Sequence, residues 1–198
     1  TLTGLGSVPP QRNLKLSPYG LAATVDLDGQ PRDDDYDFGV DAKWSINPSL
    51  TLELTVNTDF AQVEVDQQQI NLDRFNLFFP EKRPFFLENA GLFQVGSPSN
   101  VELFFSRRIG IEKGSPVPIR AGGRLTGKVG GVNVGLLNMQ TGEVGDTTVA
   151  NNFSVVRISR DLRNRSSIGA IVTNRVATGA LAASNDHGQT YGVDARFG

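Results

Sequence analysis

The sequence predicts an all-β chain, an antiparallel up-and-down transmembrane β-barrel with about eight strands and a long insert after the third. It shows two-residue hydrophobic alternation, charge on the polar face, and connection lengths that alternate between short and long. The alternation is clearest between Asp35 and Asn57. Tyr36, Phe38, Val40, Ala42, Trp44 and Ile46 share one face, and Asp35, Asp37, Gly39, Asp41, Lys43 and Ser45 share the other. After Asn47-Pro48-Ser49, Leu50, Leu52, Leu54 and Val56 alternate with Thr51, Glu53, Thr55 and Asn57. Successive side chains of a strand point to opposite faces, so each strand has one apolar and one polar face. A soluble sandwich would turn the apolar face inward, whereas a barrel wall turns it to lipid and the polar face to a wet lumen.

Residues 1–12 read as a periplasmic linker and 13–57 as strands one to three. Strand one, 13–27, has the weakest alternation, with Leu14, Leu16, Gly20 and Ala22 on one face. Strand four, 118–129, sets Ile119, Ala121, Leu125 and Val129 against Arg120, Arg124, Thr126 and Lys128. Gly130-Gly131 suits a two-residue hairpin turn into strand five, 132–140. Strands six, seven and eight are expected at 152–161, 166–175 and 189–197, so that 118–198 carries the rest of the barrel. The connections after strands two, four and six are short, and those after one, three, five and seven are long. Outer-membrane barrels have short periplasmic turns on one rim and long external loops on the other. A soluble sandwich gives no reason for that sorting.

Composition narrows the function classes. Hydrophobic residues make up 38% of the 198, low for a soluble core but natural where half of each strand faces water. No run of about 18 apolar residues exists, which excludes a transmembrane helix. A net charge of −2 gives no support for nucleic-acid binding. The absence of cysteine removes disulfides, thiolate metal sites and cysteine nucleophiles. The sequence opens without a signal peptide, so an exported protein is represented here by a mature or internal portion.

Residues 58–117 are too many for a plain hairpin loop. They hold nine of the twelve phenylalanines, among them Phe60, Phe75, Phe78, Phe79, Phe85, Phe86 and Phe93, together with Glu81-Lys82-Arg83 and Arg107-Arg108. The rings need burial and the charges need partners, so the insert is expected inside the barrel or across its mouth as a plug or constriction.

The stretch DFAQVEVDQQQINLDRFNLFFPEKRPFFLENAGLF, Asp59 to Phe93, resembles the hallmark of a poorly characterised family of bacterial outer-membrane barrel domains. The likeness continues through FFSRRIG, GLLNMQT, NFSVVRISRDL, SSIGAIVTNR and YGVDARF. Members of that family usually follow a periplasmic carbohydrate-binding module of the family-nine type and are several times longer. The resemblance therefore implies the first part of a larger barrel, in the bacterial outer membrane. An eight-stranded barrel has room inside only for its own side chains, which points the same way.

Glu81, Lys82, Arg83, Glu88, Arg107, Arg108, Arg120 and Arg124 are the candidate lumen or constriction residues. They could gate a pore, bind a solute, or form salt bridges that hold the insert. The basic members could also pair across the interior with Asp35, Asp37, Asp41 and Glu53. Tyr36, Trp44, Tyr191 and Phe197 suit aromatic girdles at the membrane interfaces. Asp26, Asp28 and Asp33 to Asp35 match no calcium-loop spacing and read as a solvated acidic loop. His187, the single histidine, has no partner ligand and receives no role. No metal, cofactor or catalytic residue is expected. The leading function is passage or docking of a solute, carbohydrate by the family association, with outer-membrane lipid and other envelope proteins as partners. A structural anchor or assembly subunit is the alternative. A glycan hydrolase, using Glu81 with Glu88 or Glu64 with Asp66 across a scissile bond, is a third.

Overall fold

In the computed structural model, the described residues are 13–25, 33–58, 81–95, 102–112 and 115–198. Eight strands form one antiparallel up-and-down sheet: β1 (Leu14–Val25), β2 (Asp33–Asn47), β3 (Leu50–Val56), β6 (Ile119–Val129), β7 (Val132–Thr141), β8 (Ala150–Asp161), β9 (Ser167–Thr178) and β10 (His187–Arg196), in that spatial order. Between β3 and β6, β4 (Ile111–Glu112) and β5 (Ser115–Pro116) form a two-residue ladder. The insert also contains a one-turn helix α1 (Pro84–Leu87) and 3-10 turns at Ala90–Phe93 and Ser106–Arg108. The expected linker 1–12, Asp26 and Asp28 of the acidic loop, and Phe60, Glu64, Asp66, Phe75, Phe78 and Phe79 lie outside the described residues.

All eight expected strands form, each within a few residues of its predicted limits. Even β1, the weakest in pattern, pairs with β2 along its whole length, from Leu14 opposite Trp44 to Val25 opposite Asp33. Closure is where the structure departs from expectation. The sheet is open, because β1 and β10 each have a neighbour on one side only.

A continuous register ties the strands together. Leu14 lies opposite Trp44, Trp44 opposite Leu52, and Leu52 opposite Leu125. From there the same row continues through Leu136, Val156 and Val172 to Tyr191. Every side chain in this row lies on the apolar face, and that face points away from the insert. It is widely exposed, with Phe38 at 70% and Val193 at 84%, while inward-facing Arg124 is 1% exposed and Glu53 7%. The sheet is thus inverted relative to a soluble sandwich, in which the apolar face would be the covered one. Tyr36, Trp44, Tyr191 and Phe197 all belong to the exposed apolar set.

Strand four corrects one detail of the alternation. The register slips between Ile119 and Ala121, so Arg120 is the extra residue of a bulge. Ile119 is fully buried as a result, and Arg120 is exposed instead of sharing a face with Arg124.

The core lies between the insert and the inner face of the sheet. Phe86, Phe93 and Ile109 of the insert pack with Leu137 and Met139 of β7 and Val155 of β8. Burying such a side chain is worth about 1.5–3 kcal/mol. Gly135 of β7 provides the seat for Phe93, since a Cβ there would stand 3.0 Å from the ring.

Candidate functional site

The polar contacts between insert and wall begin at the PEKRPFFLE segment. Pro84 opens α1 at its first position, where a missing N–H costs nothing. The turn sets Phe85 and Phe86 edge to face, with ring centroids 5.2 Å apart. Arg83 stacks over the Phe86 ring at 4.2 Å. Its Nε and Nη2 each donate to one carboxylate oxygen of Glu81 at 2.7 Å, a bidentate pair. Arg83 also donates to the carbonyl oxygens of Ser106 (2.9 Å) and Ile109, and the Ser106 hydroxyl donates to Glu81 at 2.7 Å. This clasp joins the two described halves of the insert. Burial pushes the Glu81 carboxyl upward, but the hydrogen bonds and charge of Arg83, with help from Ser106, outweigh it and hold the group below the ordinary glutamate value.

A second group fastens the insert to the wall. Glu53 of β3 and Arg124 of β6 sit opposite each other in register, both buried. Arg124 Nε donates to Glu53 Oε2 at 2.7 Å, and its Nη2 donates to the same oxygen. Its Nη1 donates to the backbone carbonyl of Glu88, and the guanidinium lies 4.9 Å from the Phe85 ring centroid. Lys43 of β2 bridges Glu53 at 3.5 Å and also pairs with the Glu88 carboxylate. The hydrogen bond from Lys43 is the main reason Glu88 lies below the ordinary glutamate value. Asn89, in the left-handed backbone region at φ 56°, donates from Nδ2 to Thr126 Oγ1 at 3.2 Å.

The predicted constriction residues therefore divide. Glu81 and Arg83 form the clasp, and Glu88 and Arg124 belong to the latch on the wall. Arg107 is buried in the Ser106–Arg108 turn. Lys82, Arg108 and Arg120 are exposed. The pairing of Arg124 with Glu53 is the cross-interior contact that the alternation allows. Lys43 was the residue missed, although its parity puts it inward and the register puts it opposite Glu53. A further inward pair, Arg157 with Asp194 at 2.5 Å, joins β8 to β10.

Among the described residues, cavities open at these contacts and away from them. One, of about 280 Å³, is lined by Glu81, Phe86, Phe93, Glu102 and Arg124. Another, of about 380 Å³, lies among Arg108, Glu112, Asn151, Phe153, Arg175 and Asp186. Both mix aromatic and charged walls, a lining that suits a polar solute with an apolar face. Glu81 and Glu88, the described pair of candidate glycosidase carboxylates, are each engaged by a basic side chain. Among the described residues no cluster of three or more His, Asp or Glu side chains is arranged to hold a metal ion.

No curated protein and no solved structure matches the chain. The sequence profile of a family described as a domain of unknown function, DUF5916, matches residues 9–121, which run from before β1 through the insert to the start of β6. That match takes in every residue of the clasp and all but Thr126 and Arg124 of the latch, and it covers more than half of the chain. The chain belongs to the DUF5916 family.

Proposed function

We propose that this chain is part of the wall of an outer-membrane β-barrel whose insert lies on the lumen side, and that it serves the passage or docking of a solute. The inverted sheet carries the reading: large apolar side chains stand exposed on the outer face, while Glu53, Arg124 and Arg157 are buried on the inner one. In water such a surface would aggregate, and lipid is the medium that suits it. Non-polar lipid outside and ion-paired polar groups inside make the same distribution favourable on both faces. The resemblance to barrels that follow a carbohydrate-binding module makes an oligosaccharide the favoured solute, and the aromatic and charged cavity walls suit sugar rings and hydroxyls.

The latch favours one alternative, a plugged barrel that anchors a partner protein of the envelope. Lys43, Glu53, Arg124 and Asn89 all hold the insert against the wall. Single-channel conductance of the full-length protein in planar bilayers separates the two. A small or closed conductance that becomes large when residues 60–105 are deleted supports a solute path filled by the insert. No conductance in either form supports the anchor.

A further inference from the structure

The outer face carries two aromatic pairs with the same spacing. Phe38 and Trp44 of β2 are six residues apart, and so are Tyr191 of β10 and Phe197 just beyond its end. All four are exposed on the apolar side. In the register, however, Tyr191 shares its row with Trp44, not with Phe38. β10 lies six strands from β2 in the sheet. A slope of one residue per strand therefore brings Phe38 level with Tyr191 and Trp44 level with Phe197.

The limits of the apolar band descend in the same direction. On β3 the outward residues stay apolar up to Val56, four residues above the common row. On β7 and β8 they turn polar two residues above it, at Asn138 and Ser154, and stay polar at Gln140 and Asn152, while β9 has Asn174 and then Val176. Below the row, β2 ends its apolar face at Ile46, two residues down, whereas β10 continues to Phe197, six down.

The inner face follows the same slope. Arg157 is registered with Ile171 and, through it, with Gly192, yet it pairs with Asp194, two strands across and two residues lower. Its guanidinium crosses Gly169, where a Cβ would stand 2.7 Å away. Lys128 is registered through Asn133 with Ser159, yet it pairs at 3.0 Å with Asp161, again two strands across and two residues lower.

One residue of rise against one strand spacing, about 3.3 Å over about 4.8 Å, is an inclination of about 35°. Closed barrels tilt their strands by about 35–45°. From Tyr36 to Ile46 the apolar face of β2 then spans about 27 Å along the membrane normal, close to the roughly 25 Å apolar belt of outer-membrane barrels. A band of constant height that is level only in an inclined plane is the imprint of a flat slab. A protein partner would leave a footprint with no such constraint.

We infer that the sheet sits in a lipid bilayer with its hydrogen-bonded rows inclined by one residue per strand, placing Phe38 and Tyr191 at one depth towards the insert's side and Trp44 and Phe197 at a second depth, about 16 Å further across. This rests on the wall reading above and fixes its depth and tilt. Trp44 is the only tryptophan, so one fluorophore can be moved. The full chain and the variants Phe38→Trp, Tyr191→Trp and Phe197→Trp, each carrying Trp44→Phe, are reconstituted in phosphatidylcholine vesicles with the insert side outward, an orientation checked by external protease cutting the insert. Acyl-brominated lipid is expected to quench all four. Iodide outside is expected to quench the tryptophans at 38 and 191 about threefold more than those at 44 and 197. Equal iodide quenching at 44 and 191 would overturn the tilt while leaving the membrane reading intact. No quenching by brominated lipid at any position would overturn the membrane reading itself.

Discussion

The two halves of the inner wall hold their charges in different ways. On β2, β3 and β6, Lys43, Glu53 and Arg124 reach out of the sheet to the Glu88 carboxylate and carbonyl, so the wall and the insert share one polar network. On β8 to β10, Arg157 pairs with Asp194 across the sheet. The apolar contacts of the insert fall from β7 onward, where Phe93 sits over Gly135 of β7 and Leu103 over Gly192 of β10. The insert is thus tied by charge on one side and by packing on the other. Charge fixes its position, because a buried ion pair tolerates few geometries. Packing contributes the non-directional part of the binding.

The sharpest way to break the comparison is to remove one arginine from each half. Arg124→Ala leaves the buried Glu53 with Lys43 alone, at 3.5 Å, and is expected to cost about 3 kcal/mol. Urea titration in a membrane mimetic measures that cost. The same variant frees the Glu88 turn, so protease should cut the insert faster. Arg157→Ala exposes a partner that already sees some solvent and is expected to cost less, about 1–2 kcal/mol, with the insert's cleavage rate unchanged. Equal release of the insert by both substitutions would show that the halves are not distinct. Phe93→Ala tests the packing side. It empties the seat above Gly135 and should cost about 3 kcal/mol, loosening the insert while Glu53 and Arg124 remain paired. If Phe93→Ala left the cleavage rate untouched, the polar latch alone would hold the insert.

Most of the sheet was legible because alternation and turn chemistry act over a few residues. Strands β2 and β3 are readable residue by residue, and Gly130-Gly131 marks its own hairpin, both glycines adopting positive φ. The bulge at Arg120 was not legible. One extra residue reverses the parity of everything before it, and nothing local in Pro118-Ile119-Arg120-Ala121 distinguishes a regular strand from a bulged one. The site was half legible. Parity sends Lys43, Glu53 and Arg124 to one face, but only the register sets them opposite one another. The meeting of Lys43 with Glu88 spans 45 residues and depends on where a one-turn helix docks, which no periodicity encodes. Inward-facing glycines were the overlooked signal. A glycine inside a strand marks the close approach of another group, and Gly135, Gly169 and Gly192 mark Phe93, Arg157 and Leu103 respectively.

Acid is the mildest way to sharpen the contrast, because it acts on the charged side alone. Glu81 in the folded insert lies below its ordinary value, and so does Glu88. A carboxylate with a depressed folded value stabilises the fold above its unfolded value and loses that contribution as the pH falls through the folded one. The clasp and latch should therefore be at full strength near neutrality and weaken progressively below the ordinary glutamate range. The Phe93 contact carries no titrating group and should not respond. Hydrogen exchange at the backbone amides of Lys82 and Arg83, which both donate to Glu81, reports on the clasp directly. Their protection is expected to fall on acidification while amides of β8 and β9 keep theirs. Glu81→Gln retains acceptor capacity but not the charge, so it should show weaker protection at neutral pH and a flatter acid profile. An unchanged profile in that variant would mean that the clasp is held by packing around Phe86 and not by the Glu81–Arg83 pair.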